Sequence, residues 1–228
     1  MASVVRARDR KTSVDVVFDH LYSSIVKLEL LPGDKISEAE IAAQFGVSRQ
    51  PVRDAFSRLE NLDLLLIQPQ KATEVKRFSL HEITKSRFVR ASVEAEVLRR
   101  AAKEATPADG TLLDACLAQQ AEVVATLDFE AFGKLDYEFH ETLCKVAKVE
   151  FAFEVISFEK ANVDRLCMLS ISTKEDRMEQ LLADHTAIAD CVKAGDGEGA
   201  VAAGMIHLSR LDATIQKICK DNPDYFEA

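Results

Sequence analysis

Apolar positions recur at helical spacing along most of this chain. In 13–30, Val14, Val17, Phe18, Leu21, Ile25 and Leu28 fall three and four residues apart, which predicts an amphipathic helix. Leu31-Pro32-Gly33-Asp34 then reads as a turn. Ser37 with Glu40 has the spacing of a capping box, and Ile41, Ala42 and Phe45 give the helix that follows an apolar stripe. Gly46 suits the left-handed residue at that helix's end. Ser48 caps a second helix, with Pro51 in its first turn where a missing N–H costs nothing. Val52, Ala55, Phe56 and Leu59 share its inner face, and Arg49, Gln50, Arg53 and Ser57 its outer face.

The period then changes. Leu64-Leu65-Leu66-Ile67 and Thr73-Glu74-Val75, separated by Gln68-Pro69-Gln70-Lys71-Ala72, predict a β-hairpin with Lys71 at its tip. After residue 78 only helical spacing remains. The predicted spans are 80–105, 107–126, 129–147, 150–170, 174–194 and 197–220, with Ser79, Thr106-Pro107 and Asp196 at helix starts and Gly195 at a helix end. Together these patterns predict a mostly α protein. Two helices joined by a tight turn and followed by a β-hairpin, a layout open to a winged helix-turn-helix domain, fill 1–78 and precede an all-α helical bundle at 79–228.

Charge sharpens the division. Residues 1–78 hold 12 Lys/Arg and 11 Asp/Glu, a net of +1; the rest hold 17 and 27, a net of −10, which together give −9. A basic face on the first module suits DNA, whereas the acidic second module does not. Arg6, Arg8, Arg10 and Lys11 form a basic start that reads either as a frayed terminus or as an arm on phosphates. Five cysteines without a C-x-x-C pair fit free thiols in a reducing cytoplasm. There is no apolar run of membrane-spanning length and no signal-peptide core, so a cytoplasmic protein with no membrane partner is expected.

A short helix presenting Arg49, Gln50 and Arg53 near its N-terminus suits the major groove, where arginine pairs bidentately with guanine. On pattern alone an ordinary helical hairpin with a solvated basic face explains it equally well. The stretch Gly46-Val47-Ser48-Arg49-x-Pro51-Val52-Arg53-x-Ala55-Phe56-x-x-Leu59 resembles the winged-helix core of GntR-family bacterial transcription regulators. The resemblance implies DNA contacts from Ser48, Arg49, Gln50, Arg53 and Lys71. The family usually has glycine where Ala72 stands.

In the second module, Asp136 and His140 are spaced i,i+4, so both side chains lie on one helical face and can reach one metal ion. His185 and His207 lie on later helices. One carboxylate and three imidazoles suit Zn²⁺, with Ni²⁺, Mn²⁺ or Fe²⁺ as alternatives. Packed core histidines are the competing reading. The module resembles the all-helical FCD effector domain of the FadR-type GntR subfamily, in which a D-x-x-x-H pair and two later histidines ligate a metal. That resemblance implies Asp136, His140, His185 and His207 as ligands. It also implies an effector role for Arg90, in Arg90-x-x-x-Glu94, and Arg165 is a further candidate. A surface i,i+4 salt bridge is the alternative for Arg90.

The expectation is a ligand-responsive, DNA-binding transcription regulator, a repressor by subfamily habit. It would be a homodimer on a palindromic operator, responding to a carboxylate or other small anion. The rival class is a metal-dependent enzyme built on the helical bundle.

Overall fold

The computed structural model describes residues 11–171 and 176–227, with the side chains of 161, 162, 164, 165, 167–171 and 176 left out. The chain divides into two compact units. One comprises Met1–Phe78 with Asp224–Ala228, and the other Ser79–Pro223. The basic start at 1–10 lies outside the described residues; Lys11 is exposed and paired with Asp19 at 2.6 Å.

In the first unit, α1 (Ser13–Val26) begins at a capping box between Thr12 and Asp15. Strand β1 (Lys35–Ile36) precedes α2 (Glu38–Phe45), and Gly46 ends α2 in the left-handed conformation at φ 63°. α3 (Arg49–Asn61) follows, then β2 (Leu65–Leu66) and β3 (Thr73–Val75). The strands form a sheet in the order β1-β3-β2, both pairs antiparallel, with Leu65 opposite Val75 and Ile36 opposite Thr73. Val17, Leu21, Ile25, Val52, Phe56, Leu59 and Val75 are fully or almost fully buried in one core, which holds α1 and α3 against the hairpin.

Three local expectations need correcting, among them the cap at Ser48, which stands at the N-cap of α3 but makes no side-chain cap bond. Ser37 stands at the N-cap of α2 but makes no side-chain cap bond, so the capping box with Glu40 is not formed. Ser37 directly follows β1, and its ψ of 126° departs from the 162° and 165° at Thr12 and Thr106, where boxes do form. Strand β1 had no sequence signal, because two residues carry no period. In the hairpin loop the left-handed residue is Gln70, at φ 62°, so the turn does not call on residue 72 for that conformation.

The second unit contains α4 (Leu80–Glu104), α5 (Pro107–Thr126), α6 (Phe129–Val146), α7 (Ala152–Ile171), α8 (Asp176–Lys193) and α9 (Gly197–Asp221). Side chains of Ser79, Thr106, Asp128 and Asp196 cap four of these starts. α4 packs against α7 and α9, α5 against α6 and α8, and α8 against α9. Leu98, Leu113, Phe139, Leu143, Ile156, Ile188 and Val192 are buried in the common core.

The last residues depart from the expected 79–228 module. Asp224–Ala228 belong with the first unit. Phe78 N donates to Tyr225 O at 2.8 Å, Glu227 N donates to Phe78 O at 2.9 Å, and the Phe78 and Phe226 ring centroids are 5.5 Å apart. Phe226 is 9% exposed, so the tail is held by an apolar anchor as well as backbone bonds. A single phenylalanine in a short tail gives no periodic signal in the sequence.

Candidate DNA-binding face and candidate metal centre

The outer face of α3 is built from one short stretch. Ser48, Arg49, Gln50 and Arg53 are all exposed, while Val52, Ala55, Phe56 and Leu59 anchor the opposite face. Arg53 reaches back to α2, its Nη2 3.1 Å from Glu38 Oε2. Gln50 Nε2 donates to Asp54 Oδ1 at 2.8 Å. Lys71, exposed at the hairpin loop, donates to Gln68 Oε1 at 2.8 Å. Such exposed pairs contribute little, so an incoming phosphate or base edge can displace them.

The second site lies inside the helical unit. Asp136 and His140 project from α6, His185 from α8 and His207 from α9. All four are buried, and each offers a ligand atom within 4.8 Å of the others. The i,i+4 spacing on α6 brings the first two together. His185 is 0% exposed and stacks on Phe139, with centroids 4.4 Å apart. Its Nε2 lies 3.4 Å from Asp136 Oδ1. Among the described residues, His185 Nε2 and His207 Nδ1 are buried without a hydrogen-bond partner.

The surroundings fix the charge states. Burial holds His185 below the usual imidazole range despite Asp136 beside it. Burial, then the neighbouring imidazoles, hold His207 well below it. Both rings are therefore neutral at pH 7, the form that ligates metals. For Asp136, burial opposes the charge, but Lys160, 3.2 Å away, outweighs it and keeps the carboxyl well below its usual range. Burial likewise opposes the charge on Glu94, and Arg90 and His140 outweigh it.

Outer partners orient the rings. Glu94 Oε2 is 3.3 Å from His140 Nδ1, whereas Arg90 Nη2, 3.1 Å from His140 Nε2, stands on the nitrogen an ion would take. An arginine only donates, so Nε2 is the accepting nitrogen and Nδ1 carries the proton toward Glu94. Gln120 Oε1 lies 2.7 Å from His185 Nδ1. Asp184, held by both arms of Arg210 at 3.0 Å, is 4.0 Å from His207 Nδ1.

A cavity of about 210 Å³ opens beside the cluster, and Asp136 and His207 line it. Arg87, Arg90, Lys160, Arg177 and Arg210 also line it, against the acids Asp136 and Glu159. Arg90 thus reaches the cavity wall, but it also pairs with Glu94 at 2.5 Å between Nε and Oε1 and touches His140. It is no surface salt bridge, for its side chain is 11% exposed and that of Glu94 5%. The side chain of Arg165 lies outside the described residues. Sequence reasoning missed Gln120, Lys160 and Asp184. Asp184 adjoins His185 in the chain, but nothing in the pattern marked a glutamine or lysine on another helix.

Two family models match this chain: "Bacterial regulatory proteins, gntR family" over residues 14–75 and "FCD domain" over residues 87–210. The chain belongs to the GntR family. The HTH-type transcriptional repressor RspR of Escherichia coli K12 is 32% identical over 210 residues, 92% of each chain. The HTH-type transcriptional regulator LutR of Bacillus subtilis is 26% identical over 214 residues, covering 85% of this chain and 97% of that one. Among solved structures, Escherichia coli McbR/YncC shares the fold with a TM-score of 0.69 at 18% identity, covering 91% of this chain and 99% of that one. This GntR protein is therefore a DNA-binding transcription regulator and not an enzyme. Among the described residues, no helix is long and apolar enough to cross a membrane.

Proposed function

We propose that this regulator binds one divalent metal ion through Asp136, His140, His185 and His207, and that a small anionic effector in the adjoining cavity alters its hold on DNA. The observation that carries this reading is the pair of orphaned imidazole nitrogens, His185 Nε2 and His207 Nδ1, in one buried cluster with a carboxylate. A buried polar atom left unpaired costs about 1–3 kcal/mol. A cation answers both nitrogens and the Asp136 charge at once. The donor set of three imidazoles and one carboxylate suits Zn²⁺ first, then Ni²⁺, Mn²⁺ or Fe²⁺. Bound there, the ion would tie α6, α8 and α9 together and act as a Lewis acid toward an effector oxygen.

The cationic lining supports an anion, such as a carboxylate, as the effector. Arg90 is the residue placed to report it, since its guanidinium belongs both to the cavity wall and to the Glu94–His140 pair. An effector that recruits Arg90 would weaken those contacts and shift the bundle toward a second arrangement.

Ser48, Arg49, Gln50 and Arg53 on α3, with Lys71 on the hairpin, form the DNA-contacting set. A homodimer would present two such faces to a palindromic operator, one per half-site. The regulator would then act as a repressor, in keeping with the name of its relative RspR.

Native mass spectrometry of the full chain, purified without chelator, tests dimer, metal and co-purified effector together. The expected species is a dimer carrying two metal ions. A metal-free monomer at micromolar concentration would contradict the reading.

A further inference from the structure

Gln120, on α5, is fully buried and supplies none of the four candidate ligands. Its amide makes two contacts. Nε2 donates to the Leu135 carbonyl on α6 at 3.3 Å, and Oε1 lies 2.7 Å from His185 Nδ1 on α8.

These two contacts have a definite order of cause. A backbone carbonyl only accepts, so the NH₂ end of the amide must face Leu135. The amide oxygen must then face His185, and an acceptor there requires a proton on Nδ1. A neutral imidazole carries one ring proton, so Nε2 is left as a bare lone pair. That lone pair lies 3.4 Å from Asp136 Oδ1, itself an acceptor, and has no hydrogen-bond partner among the described residues. Two acceptors facing each other in a buried space, with no proton between them, need a cation.

We propose that Gln120 is a positioning residue for the metal centre. It transmits the direction of the Leu135 carbonyl to His185, holds that ring in the Nδ1–H tautomer, and so presents Nε2 to the ion. This rests on the metal reading given above. Leu135 immediately precedes the ligand Asp136, so one turn of α6 sets both the carboxylate and, through Gln120, the facing imidazole. Metal-bound histidines commonly have a carboxylate or backbone carbonyl as outer partner. Here a neutral amide stands between carbonyl and ring, and orients the ring without adding negative charge to the site.

Two measurements on the full chain test this. With histidine labelled in ¹⁵N, long-range proton–nitrogen correlations on the metal-free wild type are expected to show His185 protonated at Nδ1 and bare at Nε2. Competition for Zn²⁺ against a chromophoric chelator is expected to show Gln120→Leu binding about 10–100-fold more weakly than wild type. An Nε2–H tautomer in the wild type would overturn the proposal, and this readout needs no variant to fold. Equal Zn²⁺ affinity in Gln120→Leu and wild type would overturn it while leaving the metal centre standing. Failure of the wild type itself to bind Zn²⁺ would overturn the metal reading first, and the proposal with it.

Discussion

On α3, Arg49, Gln50 and Arg53 stand in solvent, and the two with polar partners have them on a neighbouring turn or helix. In the helical unit, Asp136, His140, His185 and His207 come from three helices, are all buried, and leave two ring nitrogens with no partner among the described residues. The contrast is one of cost. Exposed charges are solvated and loosely paired, so the α3 face can exchange counter-ions for phosphates at little expense, and its affinity will track salt. Buried donors and acceptors cannot fall back on water, so an unpaired one needs an answering ligand. The first region is poised for a partner that comes and goes. On the proposal above, the second holds an ion that stays.

That contrast can be broken most forcefully at the buried site. His185→Ala is expected to weaken Zn²⁺ binding by more than about 100-fold, beyond the usual loss of an outer partner, while DNA binding by the α3 face persists. Chelator competition and a gel shift on the same preparation check both halves. Equal Zn²⁺ affinity in variant and wild type would remove the cluster from the account. On the exposed side, Arg53→Ala is expected to cost roughly 1–3 kcal/mol in specific binding and to relax base preference. A gel-shift titration against matched and mismatched operators reads both effects, and unchanged preference would take Arg53 off the groove.

The two regions were legible to different degrees, for physical reasons. The α3 face lies within one helix, so spacing alone separated Val52, Ala55, Phe56 and Leu59 from Arg49, Gln50 and Arg53, as the burial of the first set bears out. Helix spans after residue 78 were readable because Ser79, Thr106 and Asp196 are local signals with local consequences. At the buried site only the Asp136–His140 spacing was local. The approach of His185 and His207 depends on how α8 and α9 pack, which resemblance implied but periodicity could not show. Gln120 and Lys160 had no local signature at all, because each acts on a residue of another helix. The Phe226 anchor was missed for the same reason.

Acid should separate the regions as well. Burial holds His185 and His207 below the ordinary imidazole value of 6.5 in the folded chain. The unfolded chain takes up those protons near 6.5 while the folded one does not. Their contribution to the stability of the metal-free helical unit is therefore complete above pH 6.5 and lost as pH falls toward the depressed values. Thermal melts of the metal-free full chain between pH 7.5 and about 5 are expected to show the decline, and it should flatten in His207→Phe. Equal slopes in both proteins would contradict the buried neutral assignment. The smallest effect belongs to the hairpin. Lys71→Ala is expected to weaken binding to every sequence alike and to reduce the salt slope by about one. A slope unchanged across a salt titration would place Lys71 away from phosphate.

The central claim is that the four buried side chains hold one metal ion, and elemental analysis of the full chain tests it most directly. The protein must be purified without chelator and without a metal-stripping affinity step. The account expects close to one divalent ion per chain in the wild type, and its loss in His185→Ala. Wild-type protein with far less than one ion per chain, together with no change in melting temperature when Zn²⁺ is added, would contradict it and leave His140, His185 and His207 as packed core residues.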